Sequence, residues 1–213
     1  MADVVVPVTY ALKGGQHAAQ LWQYKSIHQR ELIGIQAGSS AATRLLALLL
    51  VFLRDHGECA WRLAGWTAPT HLAVVPSGRG RPGTHPLRSL IAPYLMRPWA
   101  ELAAEPDHQR VRELDPARFR ARPVPGARVL LIDDTWTTGA SAQSAAMALR
   151  RAGALGVVTV VIGRHVSLPP AGPTAFDPAA MPFRLEICPV HAGAGRVPDA
   201  RRGAAEGGRG VAG

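Results

Sequence analysis

The 213-residue sequence contains few cysteines and no apolar run long enough to cross a bilayer. Its two cysteines, Cys59 and Cys188, are too few for the disulfide framework of a small secreted protein. The first residues lack a basic segment followed by a long apolar stretch, so no signal peptide is predicted. The most apolar segment, 45–53, is short and lies between Arg44 and Arg54. These absences predict a cytoplasmic protein with no membrane partner.

Lysine is also scarce, since only two of the 24 basic residues are not arginine. The formal net charge of +9 could attract polyphosphates or nucleic acid. No Lys/Arg block and no RNA-binding signature accompanies that charge, so nucleic-acid binding stays open without a motif. Five arginines between residues 110 and 122 could reach a site or form ordinary surface charge. The length and a hydrophobic content of 47% predict one domain over 1–191, followed by a disordered Gly/Ala/Arg-rich tail over 192–213.

The most informative segment is 129–141, with the sequence VLLIDDTWTTGAS. Four aliphatic residues in a row predict a strand that is buried on both faces. Asp133 and Asp134, the only adjacent acidic pair in the chain, are predicted where this strand leaves its sheet. A helix rich in alanine is predicted from Ala140 to Arg151. The pattern is therefore strand, tight loop and helix N-terminus.

This arrangement favours binding of an anion in the loop. Backbone N–H groups from Thr137 to Ser141 can point into one concavity, with Gly139 allowing positive φ and the helix dipole behind them. The two carboxylates would repel a phosphate at the same place, so they must face another part of the ligand. Carboxylates accept hydrogen bonds from vicinal hydroxyls and can order a hydrated Mg²⁺. A ligand with a diol and a phosphate at its two ends is a ribose 5-phosphate.

The run VLLIDDTWTTGAS resembles, along its whole length, the phosphoribosyl pyrophosphate (PRPP) signature of type I phosphoribosyltransferases. That resemblance implies an α/β fold with a mostly parallel sheet flanked by helices, and a small hood from about residues 1–35. It also implies Mg²⁺-dependent displacement of pyrophosphate from PRPP by a small-molecule base, and is compatible with a homodimer. The acidic pair would be catalytic. The residues implied to bind the 5′-phosphate are Thr135, Thr137, Thr138, Gly139, Ala140 and Ser141. The alternative is a solvated Asp-Asp turn capped by threonines.

A second glycine-rich turn, 77–83, follows a predicted strand over 71–76. In type I phosphoribosyltransferases the loop after an early strand binds pyrophosphate, and Ser77, Gly78 and Arg79 stand at the matching place. Glycines expose backbone N–H groups, and an arginine can form bidentate hydrogen bonds to an anion. The alternative is a solvated loop whose arginines touch nothing. The Val-Pro before the turn is similar to the competence-associated, ComF-like branch of the family, although that branch's Arg-Gly-Phe-Asn run is absent.

The N-terminal segment is predicted to form an edge strand over Val4–Tyr10 and a helix over 16–30. Both lysines of the chain, Lys13 and Lys25, fall here. The motif YALKGGQ…LWQYK is loosely similar to the N-terminal region of the ComF-like branch, which implies that a lysine could contact pyrophosphate. The alternative is an amphipathic cap with snorkelling lysines. Further elements are predicted as a helix over 41–54, an irregular connection over 57–69, a short helix over 87–96 and a strand over 157–162.

Two short pairs could together bind a structural zinc ion. His56-x-x-Cys59 and Cys188-x-x-His191 are mirror images and offer two sulfurs and two imidazoles, a tetrahedral zinc set. The alternative is two buried free cysteines and two surface histidines. Only the tertiary fold can decide whether the pairs meet.

Two other functions are compatible with the sequence. The chain could sense PRPP or a nucleotide without consuming it, as regulatory members of the family do. It could also be a competence-type DNA-handling protein, as the positive charge and the ComF-like features suggest.

Overall fold

The computed structural model describes residues 1–30, 40–77, 85–106, 113–166 and 184–192, with the side chains of 24–30, 40 and 192 left out. The predicted tail over 192–213 lies outside the described residues except for Ala192, which ends α5, and the predicted loop over 167–182 also lies outside them. In chain order the elements are β1 (Val4–Leu12), α1 (Gln16–Arg30), α2 (Ser40–Leu63), β2 (His71–Val74), α3 (Pro86–Ile91), β3 (Leu102–Ala104), β4 (Phe119–Ala121), β5 (Arg128–Trp136), α4 (Ala140–Arg151), β6 (Gly156–Val166) and α5 (Pro189–Ala192).

The main sheet has four parallel strands in the order β1-β6-β5-β2. Its central strands, β5 and β6, contain long apolar runs, and Val129 to Ile132 are all at most 2% exposed. Strands of a parallel sheet that is covered on both faces are expected to be this continuously hydrophobic. The prediction of a mostly parallel sheet flanked by helices is confirmed. So is the position of β1 at the edge of that sheet, where Pro7 is tolerated.

Two hydrophobic layers cover the sheet. On one face α2 packs through Leu45, Leu49 and Phe52 against Leu130 and Ile132. On the other face the alanines of α4 pack against Val129 and Leu131, because small side chains let a helix lie close to a sheet. The short antiparallel β3–β4 pair adds Phe119 to this second layer. From Val129 to Ile132, alternate residues of β5 therefore face different layers.

Helix α2 is longer than predicted. It was expected to end at residue 54 and to be followed by an irregular connection, but it continues to Leu63. Gly57 does not break the helix. The ring of Trp61 lies against this glycine, so close that a β-carbon at Gly57 would come within 2.9 Å of Cζ2 of the ring. Trp61 is 8% exposed and Ala60 is fully buried, so core packing holds the last two turns in the helix. His56 and Cys59 are consequently one turn apart on a helix rather than in a loop.

Other boundaries differ from the predictions by smaller amounts. Helix α3 covers Pro86–Ile91, shorter than the predicted 87–96, and β2 ends at Val74 rather than at residue 76. Strand β6 extends over Gly156–Val166, beyond the predicted 157–162, because it pairs with β1 on one side and β5 on the other. No helix among the described residues combines the length and the apolar character needed to span a membrane.

Candidate functional site

The predicted sugar-phosphate residues lie at the carboxyl ends of the four parallel strands, the edge of the sheet where such folds bind ligands. Strand β5 ends at Trp136, and Thr135 pairs with Gly163 of the neighbouring β6. Lys13 directly follows β1, and Ser77 comes three residues after β2. Neighbouring strands of a sheet are about 4.8 Å apart. Ser77 follows β2, which is next to β5, whereas Lys13 follows β1, which is two strands or about 10 Å from β5. The sheet thus brings these three predicted segments to one edge.

The two acidic residues lie inside β5 rather than beyond it. The prediction ended the strand before Asp133, but the pairing with β6 continues in register through Asp133↔Val161 and Trp136↔Arg164. Ile132 packs in the α2 layer and Trp136 in the α4 layer, so the alternation of side chains is broken between these two residues. Asp133 and Asp134 lie within this stretch, and both are half-buried. A ligand at the end of β5 would therefore meet two adjacent, half-buried carboxylates.

The loop after β5 has the geometry of an anion cradle. Gly139 is buried and has φ of 81° and ψ of −3°, a left-handed conformation that favours glycine. Helix α4 starts at the next residue, and its first-turn N–H groups have no intrahelical acceptor. The Ala140 N–H donates to Thr138 Oγ1 over a long 3.4 Å. No acidic residue occupies the first turn of α4, so the positive end of its dipole is not neutralised there.

Two further residues shape this loop. The hydroxyl oxygen of Thr135 is buried and has no hydrogen-bond partner among the described residues, although a buried hydroxyl normally has one. The ring of Trp136 lies against Gly139, where a β-carbon would overlap Cζ2, Cε2 and Cη2 of the indole. Thr137 and Thr138 are exposed, while Ala140 is buried and Ser141 is half-buried. The unpaired hydroxyl of Thr135 offers a contact to a ligand, whereas the indole of Trp136 already fills the space on the β-carbon side of Gly139.

A pair of histidines, His17 and His165, lies near the same edge and was not predicted from the sequence. His17, in the first turn of α1, hydrogen-bonds Thr9 through Nε2 at 2.6 Å, and a β-carbon on Gly163 would come within 3.2 Å of that nitrogen. Burial lowers the pKa of His17, the hydrogen bond with Gln20 opposes this, and nearby His165 lowers it further. Helix α1 therefore covers the last part of β6. The one signal in the sequence was a histidine at the end of a buried strand.

The predicted pyrophosphate residues are only partly described. Ser77 is half-buried at the sheet edge, whereas Gly78 and Arg79 lie outside the described residues. Lys13 is exposed, and its backbone N–H donates to the Val166 carbonyl at 3.0 Å. Lys25 lies on α1, but its side chain is outside the described part of the chain. The backbone thus places Lys13 just after β1 and Ser77 just after β2, the two outer strands on either side of the β5 loop.

Two arginines of the 110–122 segment take part in packing. Arg118 is 7% exposed with its guanidinium 5.2 Å from the ring centre of Phe119, and Arg120 donates to Glu105 at 2.9 Å. Arg122 is exposed, and Arg110 and Arg112 lie outside the described residues. The structure therefore supports a role in side-chain packing, ion pairing or surface charge for the described arginines of this segment.

Three of the four predicted zinc ligands meet on the α2 side of the sheet. One sulfur each from Cys59 and Cys188 and one ring nitrogen of His191 all lie within 4.8 Å of one another. His56 is not in this set, and its Nε2–H donates to the Leu185 carbonyl at 2.9 Å. Burial and the hydrogen bond with Cys188 raise the pKa of the Cys59 thiol. Both cysteines are free thiols and half-buried, and His191 is exposed.

No protein-family model matches the chain, and no curated protein is similar to it. Among solved structures, it is similar to adenine phosphoribosyltransferase from Leishmania tarentolae, with 18% identity, a TM-score of 0.40, and coverage of 62% of this chain and 73% of the other. A phosphoribosyltransferase from Corynebacterium diphtheriae has 19% identity, a TM-score of 0.37 and coverage of 72% and 96%. Orotate phosphoribosyltransferase from Mycobacterium tuberculosis, solved with PRPP, has 18% identity and a TM-score of 0.33. The match covers 71% of this chain and 87% of the other.

These three structures belong to the family that the VLLIDDTWTTGAS segment resembles. Similarities of this size do not establish activity, ligand or acceptor for the present chain.

Proposed function

We propose that this protein is a Mg²⁺-dependent phosphoribosyltransferase that binds PRPP and displaces its pyrophosphate with a nitrogenous base. The observation that carries the proposal is the end of β5. There the half-buried Asp133 and Asp134 lie within a few residues of a left-handed glycine and the start of a twelve-residue helix. This juxtaposition offers acceptors for ribose hydroxyls beside donors for a phosphate, as a phosphorylated sugar requires.

The 5′-phosphate would bind to the backbone of the loop. Its oxygens would accept hydrogen bonds from the first-turn N–H groups of α4 and from the exposed hydroxyls of Thr137 and Thr138. The left-handed conformation of Gly139 makes the turn that would direct these N–H groups towards the phosphate. Thr135, whose hydroxyl oxygen has no partner among the described residues, would complete its hydrogen bonding here or through a bridging water.

The ribose and the metal would be held by the two carboxylates. Asp133 and Asp134 supply hard oxygen ligands and hydrogen-bond acceptors, which suit both a diol and the water shell of Mg²⁺. When bound, Mg²⁺ would neutralise negative charge on the pyrophosphate leaving group. Because the two carboxylates are adjacent at the end of β5, they would accept hydrogen bonds from neighbouring hydroxyls of the sugar ring. Ser77 and Gly78, with Arg79, would bind the pyrophosphate, and Lys13 or Lys25 could reach it from the other side.

In this reaction the bond from C1 of the ribose to the pyrophosphate oxygen breaks, and a bond from C1 to a nitrogen of the base forms. Positive charge develops on the ribose as the leaving group departs with the electron pair. The protein's task is therefore to position the two reactants and to stabilise charge, rather than to provide a nucleophile of its own. The half-buried carboxylates next to the ribose are suitably placed to stabilise that positive charge.

Titration calorimetry with PRPP, in the presence and absence of Mg²⁺, tests the binding half of the proposal. We expect saturable, Mg²⁺-dependent binding of PRPP and weaker binding of ribose 5-phosphate, which lacks the pyrophosphate. A screen of purine and pyrimidine bases for release of pyrophosphate then tests the transfer half. A folded protein that does not bind PRPP at all would contradict the proposal.

The same experiments separate two rival functions. Tight binding of PRPP without turnover of any base would indicate a PRPP-sensing regulator. Binding of single-stranded DNA that PRPP does not affect would favour the DNA-handling role suggested by the net charge of +9. The base screen is the more informative experiment, because the sequence does not identify the acceptor.

A further inference from the structure

We infer that Cys59, Cys188 and His191 bind a zinc ion, with His56 as the fourth ligand, at a site separate from the proposed PRPP site. Two sulfurs and one imidazole nitrogen, all within 4.8 Å of one another, come from segments more than 120 residues apart. In a tetrahedral zinc site with Zn–S bonds of about 2.3 Å, two sulfurs are separated by about 3.8 Å. The two sulfurs therefore need to approach each other by about 1 Å at most, and each sulfur and the ring nitrogen by slightly more.

Each pair is held by its own local structure. His56 and Cys59 are three residues apart on α2 and so lie on one face of the helix, one turn apart. Cys188 precedes α5, and the His191 N–H donates to the Cys188 carbonyl at 3.1 Å, closing one turn. In both pairs the spacing lets two side chains reach a single ion. Packing of Val190 against the core brings the second pair to the first.

His56 is prepared for a ligand's role by its contact with Leu185. Its Nε2–H donates to the Leu185 carbonyl at 2.9 Å, which leaves Nδ1 as the unprotonated nitrogen of the neutral ring. Histidines that bind metals commonly donate their other ring N–H to a backbone carbonyl in this way. His56 lies outside the 4.8 Å set, so it would complete the site by a movement of its ring when the ion binds.

The site lies away from the proposed PRPP site. The chain leaves α2 at Leu63, and Trp66 packs so close to Gly156, the first residue of β6, that a β-carbon there would overlap its ring. The C-terminal end of α2 thus lies near the amino ends of the strands, whereas Asp133 and Asp134 lie near their carboxyl ends. The ion would have a structural role, fixing residues 184–192 to α2. It would not be the Mg²⁺ of the proposed reaction.

Zinc analysis of untagged full-length protein, purified without chelator and in the presence of a phosphine reductant, tests this inference. We expect about one zinc per chain, a melting temperature that falls on chelation, and recovery on addition of Zn²⁺, because metal binding is linked to folding. Loading with Co²⁺ should produce the thiolate-to-cobalt absorption of a tetrahedral site. Two thiols lose their protons to solvent when the ion binds, so affinity should decrease at low pH.

His191→Gln is the most selective variant, since this exposed side chain can be changed without disturbing the core. It should lose most of the zinc and the response of the melting temperature to chelator, as should Cys188→Ser, while PRPP binding is retained. His56→Gln should bind zinc more weakly, and unchanged affinity would remove His56 from the ligand set. His71→Gln, at the opposite edge of the sheet, is the matched control and should keep both zinc and response.

Two results would overturn the inference. One is wild-type protein that contains no zinc, takes up none on reconstitution and melts at the same temperature with or without chelator. The other is a Cys59–Cys188 disulfide, seen as a mass lower by two hydrogens when reductant is omitted, in a protein that binds no zinc after reduction. Neither result would affect the proposed PRPP chemistry, which calorimetry tests separately.

Discussion

The indole of Trp136 lies against the bare backbone of Gly139, in the space that a β-carbon on that glycine would need. Gly139 also has φ of 81°, so two independent constraints exclude a side chain at this position. One is steric and comes from a tertiary contact, and the other is the left-handed backbone itself. The two can be separated by mutation.

Gly139→Val should reduce binding of ribose 5-phosphate far more than Thr137→Ala. The valine obstructs the backbone and displaces Trp136, whereas the alanine removes one hydroxyl donor of several. Calorimetry on both folded variants provides the measurement. Equal losses of affinity would contradict the backbone cradle.

Trp136→Ala should partly rescue the stability of Gly139→Ala in a double-mutant cycle. Removing the indole relieves the overlap, but the cost of a left-handed alanine, about 1–2 kcal/mol, remains. Urea unfolding of the four proteins measures the coupling free energy. Additive effects of the two substitutions would show that the indole does not limit this position.

Asp133→Asn combined with Asp134→Asn should abolish Mg²⁺-dependent PRPP binding in a protein that stays folded. A hydrogen bond to a charged group contributes about 1.5–3 kcal/mol, so losing two such acceptors should lower affinity by about 100-fold or more. Each single substitution is the control for the other and should give a smaller loss. PRPP affinity unchanged in the folded double variant would remove the central functional proposal.

Protonation of His17 should destabilise the protein as the pH falls. Because burial lowers its pKa below 6.5, the unfolded chain takes up the proton more readily than the folded one. The stabilisation is thus fully present above pH 6.5 and is lost as the pH falls through the lower folded pKa. Unfolding free energies measured from about pH 7.5 to about pH 5.5 should fall less steeply in His17→Gln. If the unfolding free energy of His17→Gln depends on pH as steeply as that of the wild type, groups other than His17 cause the pH dependence.

Thr159→Val should stabilise the protein. The Thr159 side chain is fully buried in β6, and its hydroxyl has no hydrogen-bond partner among the described residues. Replacing that hydroxyl by a methyl group removes a desolvation cost of about 1–3 kcal/mol while keeping a β-branched residue in the strand. Thr9→Val is the matched control and should destabilise, because the Thr9 hydroxyl donates to the Ile162 carbonyl at 2.6 Å. A lower unfolding free energy for Thr159→Val would indicate that its hydroxyl is satisfied, for instance by water.

The central strand, loop and helix could be predicted from the sequence because the signals there are local. A run of aliphatic residues, a glycine at the turn and an alanine-rich helix each favour the observed structure without help from distant contacts. The full length of β5 could not be predicted, since it depends on how far β5 pairs with β6. The sequence predicts that the strand ends before Asp133, and only the pairing shows that both carboxylates lie within it.

Tertiary contacts also explain the other differences. Gly57 looks like a helix breaker in the sequence, and only the packing of Trp61 against it shows why the helix continues. His17 carries no local mark of its position, because its burial depends on Gly163 in a strand near the other end of the domain. The approach of Cys59 to Cys188 is likewise set by the docking of Val190 on the core.

The pairing of β1 with β6 has a consequence for biosynthesis. The carboxylate of Asp3 accepts a hydrogen bond from the N–H of Val157, 154 positions later, and the parallel ladder begins next to it. A ribosome therefore releases β1 long before it makes β6, and the backbone groups of β1 that pair with β6 lack these partners in the meantime. When β6 emerges it must insert between two waiting strands and complete both sides of the sheet in one step. Until then the nascent chain exposes an apolar strand with open edges, which is the kind of segment that chaperones bind.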